Sequence, residues 1–241
     1  MKFIRHDLDD MERCYSVNAL SIQGEPALAF ASESIGGPCY LYRGNDFSKR
    51  ETVWASAGGT MSIIPLGSDD FYAVQNFFPG FQSEGAKIVY GKRNADGGYE
   101  IRDVLYQPFL HRFDVFQTGS GRYFCGCTVC TSKKDREDWS DPGKVYVGTL
   151  KDDPAEPFEL TVLLDGMTKN HGYWRGKFEG RDAGYVACDN GVYVILPPEA
   201  GGGWQTRKLM EQPTSEVVPC DLDGCGKDEF CTFEPFHGNT M

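Results

Sequence analysis

The chain has 241 residues, of which 40% are hydrophobic, so it is long enough to bury a substantial core as one all-β domain. Its formal net charge of −11 argues against nucleic acid and anionic membranes as general partners, and favours a cation or a neutral polar ligand. No apolar run approaches the length of a membrane span, and the first ten residues, MKFIRHDLDD, contain no apolar signal-peptide core. We therefore expect a cytoplasmic protein whose nine cysteines are reduced and largely buried.

Short strands recur along the chain at a nearly constant interval. The segments CYLY, KIVY, KVYV and VYVI follow the turn residues Pro38, Ala86, Gly143 and Gly191, which are spaced by 48, 57 and 48 residues. This is the interval expected of propeller blades built from four strands. Alternating apolar residues between Gly, Asp and Asn turns predict the other three strands of each repeat. The sequence thus predicts a single domain over residues 1–241, an all-β propeller of four antiparallel, four-stranded blades and part of a fifth.

The C-terminal stretch predicts the beginning of that fifth blade. Residues 215–220 are typical of an inner strand and residues 230–236 of a returning strand, with an acidic loop between them. A third strand, 48 residues after Gly191, would begin only at Asn239. Because exposed strand edges are normally avoided, two arrangements follow. Either the segment MKFIRHDL pairs with the last blade and closes a five-bladed ring, or this chain is part of a longer propeller. A second chain or self-association is a candidate to complete that propeller.

The acidic loop DLDGCGKDEF resembles the calcium loop of FG-GAP/VCBS-type propeller repeats. The resemblance implies that Asp221, Asp223 and Glu229, with the carbonyl of Lys227, are Ca²⁺ ligands. Their alternation brings the oxygens round one centre, as a hard cation requires. Cys225 stands where the family usually has Asp or Asn, which removes a charged ligand. The alternative is an Asx-type turn without an ion, and a bound ion would be structural.

Loops after the second and fourth strands of a blade emerge on one face of a propeller, because strands alternate in direction. We call this the top face; it comprises residues 57–61, 76–85, 107–112, 130–143, 168–173, 213–216 and 234–239. Three of the four histidines lie on it, His111 and His171 at the entrance of inner strands and His237 near the end of the chain. Loops on a rigid scaffold commonly carry binding and catalysis, so we expect the functional site there.

The three histidines are candidate catalytic residues and candidate ligands of a divalent metal. Gln107 and Glu216 are candidates to complete the shell. The arrangement is similar to that of propeller lyases in which histidines hold a metal on the top face for reactions of acidic sugars. That similarity implies a metal-assisted lyase, dehydratase or isomerase, in which the metal polarises a carbonyl or carboxylate while a base removes an α-proton. In the alternative, the imidazoles are hydrogen-bonded caps at strand ends.

Aromatic and basic side chains accompany the histidines on the top face. Those predicted to contact a ligand are Phe77, Phe78, Trp139 and Trp174, with Arg112 and Arg175. Flat rings stack on sugar faces and guanidinium groups bind hydroxyls, so the sequence favours a small carbohydrate-like ligand. Alternatively, the phenylalanines fasten their loop to the neighbouring blade. A noncatalytic propeller that binds proteins or carbohydrates is the rival function, since propellers serve both roles.

The motif CGCTVC contains cysteines at a spacing that suits zinc. Cys125 and Cys127 would point to one face of a strand, and Cys130 begins the following loop. A fourth ligand has no evident candidate, and cysteine is also a common core residue. The motif therefore leaves a zinc site and a buried core open.

Overall fold

The structure, a computed structural model, describes residues 3–80, 82–225 and 228–234. Blade 1 contains β1 (Cys14–Ile22), β2 (Glu25–Ser32), β3 (Cys39–Arg43) and β4 (Lys49–Trp54). Blade 2 contains β5 (Ile63–Pro65), β6 (Asp70–Gln75), β7 (Lys87–Arg93) and β8 (Tyr99–Tyr106). Blade 3 contains β9 (Leu110–Thr118), β10 (Gly121–Thr128), β11 (Gly143–Thr149) and β12 (Thr161–Met167). Blade 4 contains β13 (Gly172–Phe178), β14 (Arg181–Cys188), β15 (Gly191–Leu196) and β16 (Gln205–Met210), and the partial blade 5 contains β17 (Glu216–Cys220) and β18 (Glu229–Phe233).

The predicted fold is confirmed. Four antiparallel four-stranded sheets each keep the strand order of the sequence, and a two-stranded sheet follows them. The four repeated segments found in the sequence are the third strands β3, β7, β11 and β15. The inner strands β1, β5, β9, β13 and β17 contact one another in that order round a central channel. No helix in the described part of the chain is long and apolar enough to cross a membrane.

Apolar layers between neighbouring blades hold the inner strands in position. The layers contain Leu41 and Phe71 between blades 1 and 2, Tyr72 and Phe124 between blades 2 and 3, Phe116 and Ile195 between blades 3 and 4, and Tyr185 and Val217 between blades 4 and 5. Full burial of such a side chain contributes about 1.5–3 kcal/mol. The inner strands of blades 2, 3 and 4 are thus packed from both sides, which gives this part of the channel a rigid wall.

Two strands begin three residues later than their sequence patterns predict. The pattern FELTVLL predicts a fourth strand of blade 3 from Phe158, but β12 begins at Thr161. The Phe158 ring is buried instead between blades 2 and 3, with its centroid 5.4 Å from that of Phe124. The pattern TMSIIPLG predicts a first strand of blade 2 from Thr60, but β5 begins at Ile63. There the carbonyl of Ile63 accepts a hydrogen bond from the side chain of Asn18.

The first residues do not close the ring. Residues 3–11 form no strand, and Asp9 accepts hydrogen bonds from Tyr42 and Arg50 on the outer strands of blade 1, at 2.8 and 2.5 Å. The expectation that MKFIRHDL pairs with the last blade is therefore wrong for the described residues. Residues 7–12 include four acidic side chains and show no apolar alternation. One of these side chains, that of Asp9, forms an ion pair with Arg50 at the surface of blade 1.

The cysteines of the CGCTVC motif do not converge. Cys125 and Cys127 lie in the apolar layer between blades 3 and 4, whereas Cys130 lies in the layer between blades 2 and 3. Cys130 follows Cys127 by three positions, an odd number, so the alternation of side chains along an extended chain turns it to the opposite face. Burial raises the pKa of the thiols of Cys125 and Cys127, and both side chains pack among the apolar residues of the core.

Candidate functional site

A cleft of about 560 Å³ opens on the top face at the mouth of the channel. Its walls come from loops after second and fourth strands, as the alternation of strand direction predicts. Its lining includes Tyr15, Met61, Phe77, Phe78, His111, Trp139, Lys169 and His171. The volume lies within the range of about 300–1,000 Å³ that is usual for small-molecule sites.

One backbone turn is repeated at the base of this cleft. A residue in the left-handed region stands two positions before each of Tyr15, Met61, His111 and His171. These residues are Arg13 (φ 46°), Gly59 (φ 62°), Phe109 (φ 59°) and Lys169 (φ 51°). The left-handed conformation costs about 1–2 kcal/mol in residues other than glycine, and its repetition gives four blades one equivalent side chain at the channel mouth.

The two described histidines stack at this point. The ring centroids of His111 and His171 are 4.5 Å apart at an interplanar angle of 34°, and the residues are only 2% and 7% exposed. His111 belongs to β9 and His171 immediately precedes β13, so neighbouring blades supply the two rings. The structure thus brings together the pair that the sequence placed at equivalent positions.

Tyr15 crosses the channel from blade 1 to blade 3. Its hydroxyl lies 3.2 Å from Nε2 of His111 and accepts a hydrogen bond from Nη2 of Arg112, also at 3.2 Å. Because the oxygen accepts from Arg112, its own hydrogen can be donated to the imidazole. Burial raises the pKa of Tyr15, although the Arg112 guanidinium opposes the rise, so the phenol is neutral at physiological pH.

Glu216 lies behind the second imidazole. Nδ1 of His171 is 2.6 Å from Oε1 of Glu216, the first residue of β17. A carboxylate at this distance stabilises a proton on Nδ1 and leaves Nε2 as the basic nitrogen. Blade 5 thereby orients a side chain of blade 4.

The walls of the cleft combine rings and charges. The ring centroid of Phe77 is 4.9 Å from that of His111, and Phe77 is buried between blades 2 and 3. Phe78 is half-buried and lines the cleft. Nζ of Lys133 lies 3.4 Å from the ring centroid of Trp139, which also lines the cleft. The position of Phe77 agrees with the role of fastening its loop, while Phe78 and Trp139 present rings to the cleft.

The other predicted site residues lie elsewhere. Arg112, Trp174 and Arg175 line a second cavity, of about 420 Å³, which shares only Tyr15 and Met61 with the cleft. Gln107 lines neither; its backbone N–H donates to the carbonyl of Ala86 at the junction of blades 2 and 3. Sequence reasoning missed Tyr15 and Met61, which share with the histidines their position two residues after a left-handed residue and not a common offset from the start of a strand.

Of the three histidines predicted to bind the metal, the structure describes two, His111 and His171. His237 lies outside the described residues. Within the described ranges, no third His, Cys, Asp or Glu side chain comes close enough to both imidazoles to form a three-ligand group. Two imidazoles, one with a carboxylate behind it, nevertheless form a donor set that suits a divalent transition metal.

The acidic loop partly assembles. Ligand atoms of Asp221, Asp223 and Cys225 all lie within 4.8 Å of one another, and these residues are exposed. Asp223 accepts a hydrogen bond from the N–H of Cys225 at 2.9 Å, and bonds from Cys225 lower the pKa of Asp223. Glu229 accepts from the N–H of Leu222 at 2.9 Å. The Asx-type turn is therefore present, and Lys227 lies outside the described residues.

Comparison with known proteins identifies the architecture. No protein-family model and no curated protein matches the sequence. Among solved structures, the chain is similar to an α-L-arabinanase of Penicillium chrysogenum complexed with arabinobiose (TM-score 0.54, 11% identity, 87% of this chain and 69% of that chain). It is also similar to an α-L-arabinofuranosidase from Lactobacillus brevis (0.53, 9%, 92% and 91%) and to a Synechocystis apocarotenoid oxygenase mutant (0.52, 14%, 90% and 55%). The likeness shows the fold alone. This propeller spans about half the length of the oxygenase.

Proposed function

We propose that the top-face cleft binds a carbohydrate-like ligand and catalyses the removal of a proton from it, as in a lyase, dehydratase or isomerase. The observation that carries the proposal is the meeting of two imidazoles, one backed by Glu216 and the other by Tyr15, at the base of the cleft. An orienting carboxylate behind a histidine and a buried phenol beside another are the components of general acid–base catalysis.

Each group has a defined task in an elimination. Nε2 of His171 takes the α-proton, and Glu216 stabilises the imidazolium that forms. The electrons of the C–H bond form the new double bond while the C–O bond to the leaving group breaks. Tyr15 protonates the leaving oxygen, and Arg112 stabilises the resulting phenolate. If His111 and His171 instead hold a divalent metal, with His237 as the predicted third ligand, the metal would polarise the carbonyl or carboxylate next to the acidic C–H bond, and a base other than His171 would take the proton.

The ligand class is inferred from the walls. Phe78 and Trp139 offer rings for stacking, and charged side chains beside them, such as Arg13 and Glu33, offer hydrogen bonds to hydroxyls. The arabinanase and the arabinofuranosidase with a similar fold act on arabinose-containing compounds, as their names state. A neutral or acidic sugar is therefore the class to test first.

The acidic loop has a separate, structural role in this proposal. We infer that it is a calcium loop of the FG-GAP/VCBS type, held by Asp221 and Asp223. To become a ligand of the ion, the carboxylate of Glu229 would give up the hydrogen bond that it accepts from the N–H of Leu222. The loop connects β17 to β18 and so stabilises the blade that carries Glu216.

The test compares site variants with a surface control. Arabinobiose and glucuronate-terminated disaccharides would be titrated by calorimetry, and formation of an unsaturated product would be followed by ultraviolet absorbance. We expect His171→Ala and Tyr15→Phe to lower kcat by about 10²–10⁴-fold, with a much smaller effect on ligand affinity. His6→Ala, at an exposed position outside the cleft, should change neither.

Glu216→Gln separates orientation from packing. The amide has the same shape but cannot stabilise an imidazolium, so kcat should fall while the melting temperature changes little. Binding that survives without any turnover would favour the noncatalytic scaffold. Failure of every sugar to bind would overturn the proposal.

A further inference from the structure

The second cavity lies in the channel on the other side of Tyr15 from the cleft. Its volume is about 420 Å³, and inner strands of four blades contribute to its wall. Asn18 comes from β1, Ile63 from β5, Arg112 and Asp114 from β9, and Trp174 and Arg175 from β13. The cavity and the cleft share Tyr15 and Met61, so one extended ligand can reach both.

Arg112 is a charge without a counterion in this cavity. Its side chain is half-buried, and its guanidinium carbon lies 5.3 Å from the ring centroid of Tyr15. Its polar contact is with the Tyr15 hydroxyl, which carries no charge. No carboxylate among the described residues forms an ion pair with Arg112, and its buried Nε has no hydrogen-bond partner there. Buried charges are normally paired, and this chain has 35 acidic residues from which a partner could come.

Arg175, on β13, adds a second guanidinium to the lining of the cavity. Its Nη1 donates to Oδ1 of Asp114 at 3.2 Å and to the carbonyl of Val115 at 3.1 Å. Its Nη2 donates to Asp182 at 3.4 Å, and Asp182 also pairs with Lys177 at 2.6 Å. Asp114 is therefore the one carboxylate that lines the cavity beside two guanidinium groups, which leaves the cavity with a net positive charge.

We propose that this cavity binds a carboxylate group of the ligand, with Arg112 as the residue that holds it. The guanidinium fork fits a carboxylate with two parallel hydrogen bonds, and one of its nitrogens, Nε, is unpaired and buried. Trp174, 48% exposed, lies beside it and can stack on the ring that carries the carboxylate. Resting on the proposed function, this assignment makes the ligand of the cleft a sugar acid and not a neutral sugar.

The first experiment tests the carboxylate site without a sugar. Sodium acetate is titrated into the ¹⁵N-labelled protein, with sodium chloride at equal ionic strength as the control, while the indole N–H resonance of Trp174 is followed. We expect a saturable shift with acetate alone, which is lost in Arg112→Gln. Arg102→Gln, at an exposed arginine on blade 2, should keep the shift. No saturable shift in the wild-type protein, or a shift that persists in Arg112→Gln, overturns the proposal.

A conservative variant guards against a fold defect. Arg112→Lys keeps the charge but lacks the fork, so acetate should bind about tenfold more weakly. An unchanged affinity in this variant contradicts the assignment even if Arg112→Gln does not fold.

The second experiment tests whether a sugar that binds in the cleft also places its carboxylate in the second cavity. Glucuronate and glucose differ only in the carboxylate, and we expect the wild-type protein to prefer glucuronate by about tenfold or more. Arg112→Gln should abolish this preference, so that glucuronate and glucose bind this variant with similar affinity. Equal binding of the two sugars overturns the carboxylate site but leaves the proposed function standing. An acetate response without any sugar binding overturns the proposed function but leaves the carboxylate site standing.

Discussion

Asp114 is the residue whose ionisation the fold opposes most clearly. It is 6% exposed, and burial raises its pKa from 3.8 to about 6, although Arg175 opposes the rise. Asp182, which also faces Arg175, adds to the increase, and Cys125 and Tyr173 are the other titratable groups beside it. The folded protein therefore binds this proton more tightly than the unfolded chain does.

The first prediction concerns this proton. The stabilisation it gives is complete below pH 3.8 and is lost as the pH rises to about 6. In the wild-type protein the unfolding free energy should fall by about 3 kcal/mol between pH 3.8 and about 6, as measured by urea denaturation at a series of pH values. Asp114→Asn should abolish this fall. Asp103→Asn, at an exposed position, should follow the wild-type curve. A wild-type pH dependence in Asp114→Asn would show that another group is responsible.

Side chains at the channel mouth were predictable only in part. His111 and His171 share an offset within their repeats, and this periodicity is visible in the sequence. Tyr15 and Met61 also follow a left-handed residue by two positions, but their chemistry differs and that backbone turn is not visible in the sequence, so pattern alone does not group them with the histidines. Arg112 and His111 are consecutive residues of β9, so their side chains point to different faces, and Arg112 lines the second cavity while His111 lines the cleft.

At the scale of elements, Gly172 allows blades 4 and 5 to approach. A Cβ at this position would lie 2.6 Å from the carbonyl oxygen of Ser215 and 2.9 Å from Cα of Glu216. These are backbone atoms, so relief of the overlap requires β13 and β17 to move apart.

Gly172→Ala should therefore lower the unfolding free energy by about 1–3 kcal/mol and separate His171 from Glu216. Denaturation measures the first effect, and the pH titration of the His171 ring by NMR measures the second. Gly119→Ala, between β9 and β10, meets no atom within 4 Å and serves as the control. Equal stability of the two variants would show that the blades separate without cost.

The acidic loop gives a second prediction at this scale. Added Ca²⁺ should raise the melting temperature, and chelation should lower it, because an ion that binds only the folded state stabilises it. Asp223→Asn should weaken the response, whereas Asp165→Asn, exposed on β12, should retain it. The absence of any shift in the wild-type protein would mean that the loop does not bind calcium with Cys225 in place of the usual Asp or Asn.

At the scale of the whole molecule, the blade count followed from the repeat, but the closure of the ring did not. Spacings near 48 residues locate the third strands, which are apolar and buried from both sides. The N-terminal segment has no such pattern, and its contacts with blade 1 depend on a few charged side chains. Strand ends such as that of β12 depend on where a single ring, Phe158, is buried.

Self-association is one of the arrangements by which blade 5 could be completed, and it predicts a concentration-dependent mass. In the described residues, β18 pairs with β17 on one side, and Phe233 at its end is 40% exposed. Sedimentation equilibrium should show species heavier than the 26.8 kDa chain that increase with concentration. Phe233→Lys should reduce association, because a charge on a strand edge opposes pairing, whereas Tyr106→Lys on the outer strand of blade 2 should not. A single monomeric species at all concentrations would contradict this prediction.

The repeated left-handed turn before Tyr15, Met61, His111 and His171 has a consequence for how such a protein changes over time. Each blade delivers one side chain to the same place, while the strand behind it is held by contacts far from that place. Duplication of a blade therefore produces another equivalent position at the channel mouth. A later substitution at that position introduces a functional group without disturbing the neighbouring strands. A propeller of this kind can therefore acquire a new catalytic centre through single substitutions at the equivalent position of each blade.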